Sequence, residues 1–326
     1  MLHSTLTTFS DALANKKTIL VSVMTVTLLA TANPPTIAEE RVGTAQHEIR
    51  KGVVINGFQG IVDIVNCTGS MIAPNLVLTA AHCIEGAEST SIGVSNFIIN
   101  YYSSVLGRDQ VFNRIATWHS PLSYDGFRSS RSAAEANDDI AIIQIPGTFS
   151  NTDYHDYLRI YADSGNALET YLTAYGAGIF TYSGIGDDNL RKARFEVENI
   201  EKNHIKVDTH DGVTLCRGDS GGPLIYTANK SGIKIPTITG VLSNGNFDAS
   251  DGEFCVNGTF HDNAYYARVT PKRIKWIESV TGVNCTLYKS ASKKYWRCFE
   301  LPFIEDIAYE GSDRDKSVSI AVSSIL

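Results

Sequence analysis

From residue 53 onward the chain is written in short apolar or β-branched runs, and almost nothing in it repeats at the helical period. Val53-Val54-Ile55, the run from Gly60 to Val65, Ser70-Met71-Ile72 and the run from Leu76 to Thr79 are separated by Gly, Asn or Pro. Branched side chains fit a pleated, half-buried surface, and such punctuation marks the ends of strands. Helical periodicity arrives only at residues 270–280. There Thr270 stands at the N-cap and Pro271 at the first helical position, while Ile274, Ile277 and Val280 share one face. Many short strands followed by one late helix predict an all-β sandwich or barrel with a C-terminal helix.

Composition bounds the partners and the compartment. The chain has 326 residues, 43% hydrophobic and 19% charged, enough for one large or two medium cores. A net charge of -7 without any basic block argues against nucleic acid or an anionic membrane as partner. The six cysteines, at 67, 83, 216, 255, 285 and 298, form no C-x-x-C pair, so structural disulfides in an oxidising compartment are expected. Lys16-Lys17, the apolar run from Thr18 to Ala30 and Ala30-Thr31-Ala32 read as a signal peptide over residues 1–32. The apolar run is short for a bilayer span, so the protein is expected to be secreted with no span left after cleavage; an uncleaved anchor is the alternative. Residues 33–41, with Pro34-Pro35 and the ending Glu39-Glu40-Arg41, read as a propeptide.

The chemistry is concentrated in three places. In Cys216-Arg217-Gly218-Asp219-Ser220-Gly221-Gly222-Pro223, glycines surround one serine and an acid precedes it. Such a turn exposes the hydroxyl and leaves backbone N–H groups free to face a ligand oxygen, the local geometry of a nucleophile beside an oxyanion hole. Serine needs a base and an oriented acid. Thr79-Ala80-Ala81-His82-Cys83 offers the first, and Asp139-Ile140-Ala141-Ile142 offers the second.

These three segments, in the order His, Asp, Ser, resemble the chymotrypsin-like serine peptidases over residues 42–281. The resemblance implies two six-stranded antiparallel β-barrels dividing near residues 155–165, a serine endopeptidase acting on proteins or peptides, and no cofactor. It assigns His82 as general base, Asp139 as its orienting acid, Ser220 as nucleophile, and the N–H groups of Gly218 and Ser220 as the oxyanion hole. Asp138, the other candidate acid, is expected to face solvent by strand alternation. Cys67–Cys83 and Cys216–Cys255 are the implied disulfides. Cleavage at Arg41/Val42 by an activating peptidase is expected to free an ammonium that pairs with Asp219. Residues 282–326 have no counterpart in the family. Their Cys285 and Cys298 are expected to pair with each other, and the alternation over 317–322 to add a strand.

Specificity follows from the same mapping. Thr214, six positions before Ser220, falls at the base of the primary pocket, with Gly245 and Ala264 on its walls and Ser243-Asn244-Gly245 as the substrate-pairing edge. None of these is charged, so a Lys or Arg side chain would enter without an anion to replace its hydration. A neutral residue, apolar or small, is expected before the scissile bond unless the 246–253 insertion brings Asp248 or Asp251 inside. Residues 93–102 lack the acids of a calcium loop, so no metal is expected. The remaining histidines, His119 among them, read as surface or satisfied structural groups. The leading reading is a secreted, monomeric serine endopeptidase made as a zymogen. The alternatives are a catalytically idle binding or inhibitory protein on the same fold, and an esterase using the same triad.

Overall fold

The computed structural model describes residue 49 and, within 52–299, the segments 52–55, 60–64, 67–84, 90–103, 107–124, 126, 138–147, 157–162, 168, 170–177, 189–209, 215–216, 218–230, 233–245, 263–290 and 293–299. The signal peptide, the propeptide, Val42, Thr214, Cys255, the 246–253 insertion and the 317–322 alternation lie outside these residues.

β1 (Val53–Ile55) is a short strand on the second half of the molecule. The first barrel is made of β2 (Ile61–Ile64), β3 (Cys67–Ala73), β4 (Leu76–Thr79), β5 (Ile92–Ser103), β6 (Gly107–His119) and β7 (Ala141–Gln144), closed in the order β2-β3-β4-β7-β6-β5. β8 (Arg159–Tyr161) leads to the second barrel. This is built from β9 (Tyr171–Gly176), β10 (Leu190–Ile200), β11 (His204–Asp208), β12 (Pro223–Lys230), β13 (Ile233–Gly245) and β14 (Asn263–Arg268). Its order is β12-β9-β10-β11-β14-β13, and the β12–β13 pairing closes the ring. Both rings are antiparallel, so the expected pair of six-stranded barrels is what the chain forms.

The barrels fill with the branched residues that marked the strands in the sequence. Ile61, Met71, Leu76, Leu78, Ile99, Ile142 and Ile143 are almost wholly buried in the first, and Leu172, Phe195, Ile205, Val207 and Leu224 in the second. β3 is buried along its whole length. A barrel strand whose outer face is also covered loses the in–out alternation that marks a half-exposed one. α1 (Pro271–Thr281) starts at Pro271 as its sequence predicts, although the Thr270 hydroxyl makes no cap; the Thr270 carbonyl instead accepts from the N–H groups of Arg273 and Ile274 at 2.9 and 3.0 Å. Gly282, at φ 71°, ends the helix in the left-handed region. Ile274 and Ile277 are fully buried in the cluster that also holds the first barrel's core.

After the helix, β15 (Thr286–Ser290) and β16 (Lys293–Arg297) form a hairpin, and β16 pairs with β8. The sequence reading placed no strands there. The pairs that hold the hairpin are aromatic and cationic, with Tyr288 stacked on Tyr295 at 5.8 Å and the Arg297 guanidinium 4.6 Å from the Tyr288 ring centre. Cys285 and Cys298 are bonded across its base. Removing that bond with Cys285→Ser and Cys298→Ser frees a short loop in the unfolded chain, so stability should fall by about 3 kcal/mol in denaturant titration; an unchanged midpoint would show that strand pairing alone holds the hairpin.

Candidate active site

Strand β4 delivers the chain into a single 3-10 turn, Ala81–Cys83, which carries His82. The Cys67–Cys83 disulfide ties this turn to the first residue of β3. Asp139 precedes β7, whose pairing with β4 brings the acid beside the turn. The Asp139 carboxylate is 1% exposed and accepts three hydrogen bonds: the His82 backbone N–H at 2.9 Å, the His82 ring at Nδ1 at 2.7 Å, and the Ser243 hydroxyl at 2.6 Å. Burial alone pushes Asp139 upward, but the charge of His82 and the hydrogen bonds from His82 and Ser243 outweigh it, leaving its pKa below the ordinary carboxylate value. An ionised carboxylate only accepts, so Nδ1 donates to it in either charge state, and when the ring is neutral Nε2 is its acceptor.

The serine segment lies against the same turn. Gly221 has φ 80°, and a Cβ there would sit 2.2 Å from the Thr79 hydroxyl and 3.1 Å from the Ala80 nitrogen, two residues before His82. Thr68 fastens the segment. Its N–H donates to the Ser220 carbonyl at 2.7 Å and its hydroxyl to the Gly218 carbonyl at 2.8 Å, while Thr79 Oγ1 donates to the Thr68 carbonyl at 2.9 Å. Gly218 is at φ 90°, and among the described residues neither its N–H nor that of Ser220 has a backbone acceptor. Between and after them the N–H groups of Asp219, Gly221 and Gly222 are bonded to the carbonyls of Cys216, Leu242 and Asp219, and Ser220 is partly exposed.

Asp219 is fully buried. Its carboxylate accepts from the Cys216 N–H at 2.8 Å, and it lies over Gly176, where an added Cβ would collide with Oδ1 and Cγ. Gly176 pairs directly with Arg191 on β10, itself 3% exposed. Burial lowers the Arg191 pKa and the charge of Asp219 raises it back. Burial, with Asp219 adding to it, drives the Tyr266 hydroxyl well up.

Ser243, Asn244 and Gly245 end β13, and Gly245 pairs with Ala264 on β14; all four are buried. Cys216 is disulfide-bonded. Cys67, His82 and Cys83 lie close enough for a metal, but both sulfurs are spent on their disulfide.

One expectation changes in part. Asp138 is only partly turned to solvent, because 138–140 precede the strand and alternation does not govern them; its side chain is 32% exposed and also pairs with Arg273 Nη2 at 2.8 Å. His119 is a buried structural histidine hydrogen-bonded to Gln144, with Nε2 unpartnered among the described residues. Thr68, Gly176, Arg191 and Arg273 escaped the sequence reading. Only Thr68 carried a signal, its place beside Cys67, and that signal names no role.

The family model described as Trypsin matches residues 44–270. A collagenase of Hypoderma lineatum is 25% identical over 72% of this chain and 90% of its own length. A brachyurin of Leptuca pugilator is 27% identical over 69% of the chain and 91% of its length. A chymotrypsin of Phaedon cochleariae is 30% identical over 51% of the chain and 61% of its length.

Two outcomes follow from the geometry. Because the folded pKa of Asp139 lies below its unfolded one, its contribution is complete above the unfolded value, about 4, and is lost as pH falls through the folded value. Asp139→Asn should therefore lower stability at neutral pH and flatten its decline in acid, read by denaturant titrations from pH 7 to 2. Gly221→Ala combines positive φ with a collision against Thr68 and Thr79, so it should cost at least about 1–3 kcal/mol. By displacing the serine it should also slow turnover about a hundredfold. A variant with normal turnover would show that the contact is not tight.

Proposed function

The chain belongs to the trypsin family and is a serine endopeptidase acting on protein substrates, and on that premise we propose that catalysis runs through Ser220, His82 and Asp139. The observation that carries this reading is the hydrogen-bonded pair His82 Nδ1 to Asp139 Oδ2, held 2.7 Å apart in a turn against which Gly221 is packed. His82 Nε2 takes the Ser220 proton as the hydroxyl oxygen attacks the scissile carbonyl. Asp139 keeps the ring in the tautomer that can do so and stabilises the imidazolium. The carbonyl oxygen, now an oxyanion, is met by the N–H groups of Gly218 and Ser220. The imidazolium then gives its proton to the leaving amine, and water enters by the same route to release the acyl-enzyme.

Substrate pairs with Ser243-Asn244-Gly245, and its side chain enters a pocket lined by Thr214, Gly245 and Ala264. These residues carry no charge, which supports a neutral residue before the scissile bond. Residues 1–32 act as signal peptide and 33–41 as propeptide, removed by a peptidase cutting at Arg41/Val42, and the product works outside the cell as a monomer. The disulfides support an oxidising destination. Among the described residues no helix is long and apolar enough to cross a membrane.

A fluorophosphonate probe should label Ser220 in the wild type, and peptides with Ala, Leu or Phe before the scissile bond should be cleaved. Ser220→Ala should lose labelling and about 10⁶-fold in kcat, and Asp139→Asn about 10⁴-fold. A folded wild type that neither labels nor cleaves would favour the idle binding protein; ester turnover without peptide turnover would favour the esterase. Cleavage confined to Arg or Lys substrates would overturn the specificity.

A further inference from the structure

Asp219 is a charge buried among apolar groups, and a buried carboxylate needs a cation or neutralises itself. The resemblance looks for that cation at an N-terminus freed by cleavage. The second barrel itself places one nearby. In the antiparallel β9–β10 pair, Gly176 lies directly opposite Arg191, and residues directly opposite project from the same face of a sheet with Cβ positions about 5 Å apart. The Asp219 carboxylate fills the space that a Gly176 side chain would occupy on that face. Arg191 is thus the neighbouring side chain of the acid, and it is buried with it. A guanidinium stays charged in such a site, and the attraction of Asp219 for it appears in the pKa of Arg191, which burial lowers and Asp219 raises.

The second service of a freed terminus is apolar: an aliphatic residue that packs into the second barrel and holds the loop. Ile49, an internal residue, is fully buried in the cluster with Leu172, Ala174, Leu215 and Tyr266. Leu215 adjoins Cys216, whose N–H is bonded to the Asp219 carboxylate. Just beyond Ile49, β1 pairs across β10, with Val54 opposite Arg191. Ile49 and β1 thus lie on the same barrel as that arginine.

We propose that Arg191 and Ile49 together replace the freed N-terminus, Arg191 as built-in countercharge to Asp219 and Ile49 as apolar anchor, so that the serine turn is formed before the chain is cut. Arg191 is a positioning residue: it touches no substrate and acts through Asp219 on the Gly218 and Ser220 N–H groups. Cleavage at Arg41/Val42 then removes a leader without switching the enzyme on. This rests on the catalytic reading above, and the experiment separates the two.

The test uses the secreted-form chain with Arg41→Gln, its intact N-terminus checked by mass, beside the chain beginning at Val42. Both are titrated with a fluorophosphonate and assayed on a neutral peptide. The uncut protein should label Ser220 within about threefold of the rate of the cut one. Labelling of neither form would sink the catalytic reading; labelling of the cut form alone would sink this inference and leave that reading standing. Arg191→Met should lower kcat and labelling about a hundredfold in both forms with little change in KM, and Arg191→Lys should recover at least a tenth of the wild-type rate. Wild-type rates in Arg191→Met would overturn the assignment. If Arg191→Met does not fold, the comparison of cut and uncut wild type still decides.

Discussion

Thr68 is the residue through which the two halves of the molecule hold one another at the site. It sits on β3 of the first barrel, yet its N–H and hydroxyl are bonded to the carbonyls of Ser220 and Gly218 just ahead of β12 of the second. The Ala177 N–H donates to the same hydroxyl at 2.9 Å, bringing in the end of β9. On the other side Thr79 donates to the Thr68 carbonyl at 2.9 Å, two residues from the turn that carries His82. Four short bonds thus set the distance between the histidine turn and the serine turn. The neighbouring disulfide adds a covalent tie from Cys67 to Cys83, so the turn with His82 cannot drift from the strand that holds the Ser220 segment. Catalytic geometry of this kind is demanding, since a misplacement of about 1 Å is worth roughly a hundredfold in rate.

Two buried acids sit on either side of that staple and solve the same electrostatic problem differently. Asp139 is surrounded by donors: a backbone N–H, an imidazole and a hydroxyl. The charge of His82, with the hydrogen bonds from His82 and Ser243, keeps it ionised despite burial, so Nδ1 donates to it. Asp219 receives a backbone N–H from Cys216 and the field of a buried arginine. The first arrangement orients the imidazole, and the second lies under the serine turn. Asp138 adds a third acid, paired with Arg273, that couples the helix to the same strand entry. Arg273 is pulled down by burial and held up by Asp138 and then Asp139, so the helix contributes positive charge near Asp139.

Much of this was legible before any coordinates. Short β-branched runs forecast the strands, Pro271 marked the helix start, and glycines around Ser220 forecast a turn. Those signals are local, and local chemistry survives folding. What could not be read is set by registers between distant strands. Arg191 looks like any charged residue in Leu190-Arg191-Lys192-Ala193-Arg194, and only pairing with Gly176 reveals that its face points at Asp219. Asp138 seemed exposed because alternation was carried one residue too far, into a stretch that is not yet a strand. The hairpin after α1 was hidden for a different reason. Its strands are rich in Tyr, Lys and Arg, and its stability comes from ring stacking, cation–π contacts and a disulfide rather than from an aliphatic face.

Glycine is the common condition for both electrostatic arrangements. At Gly221 the turn must pass within contact of Thr68 and Thr79, and at Gly176 the sheet must leave a side chain's worth of space for a carboxylate. Any Cβ at either place would open the very gap that the hydrogen bonds close. Gly222 makes the same concession to the Tyr175 carbonyl, which lies 2.4 Å from where its Cβ would be. The approach of β9 to the serine turn therefore depends on missing atoms on both sides, Gly176 on the strand and Gly222 on the turn. A buried carboxylate set between such surfaces has no water to retreat to. Its charge is met by the Cys216 N–H and by the cation that β10 carries at the position opposite the gap, and so the packing that shapes the turn and part of the charge beside it come from one pair of strands.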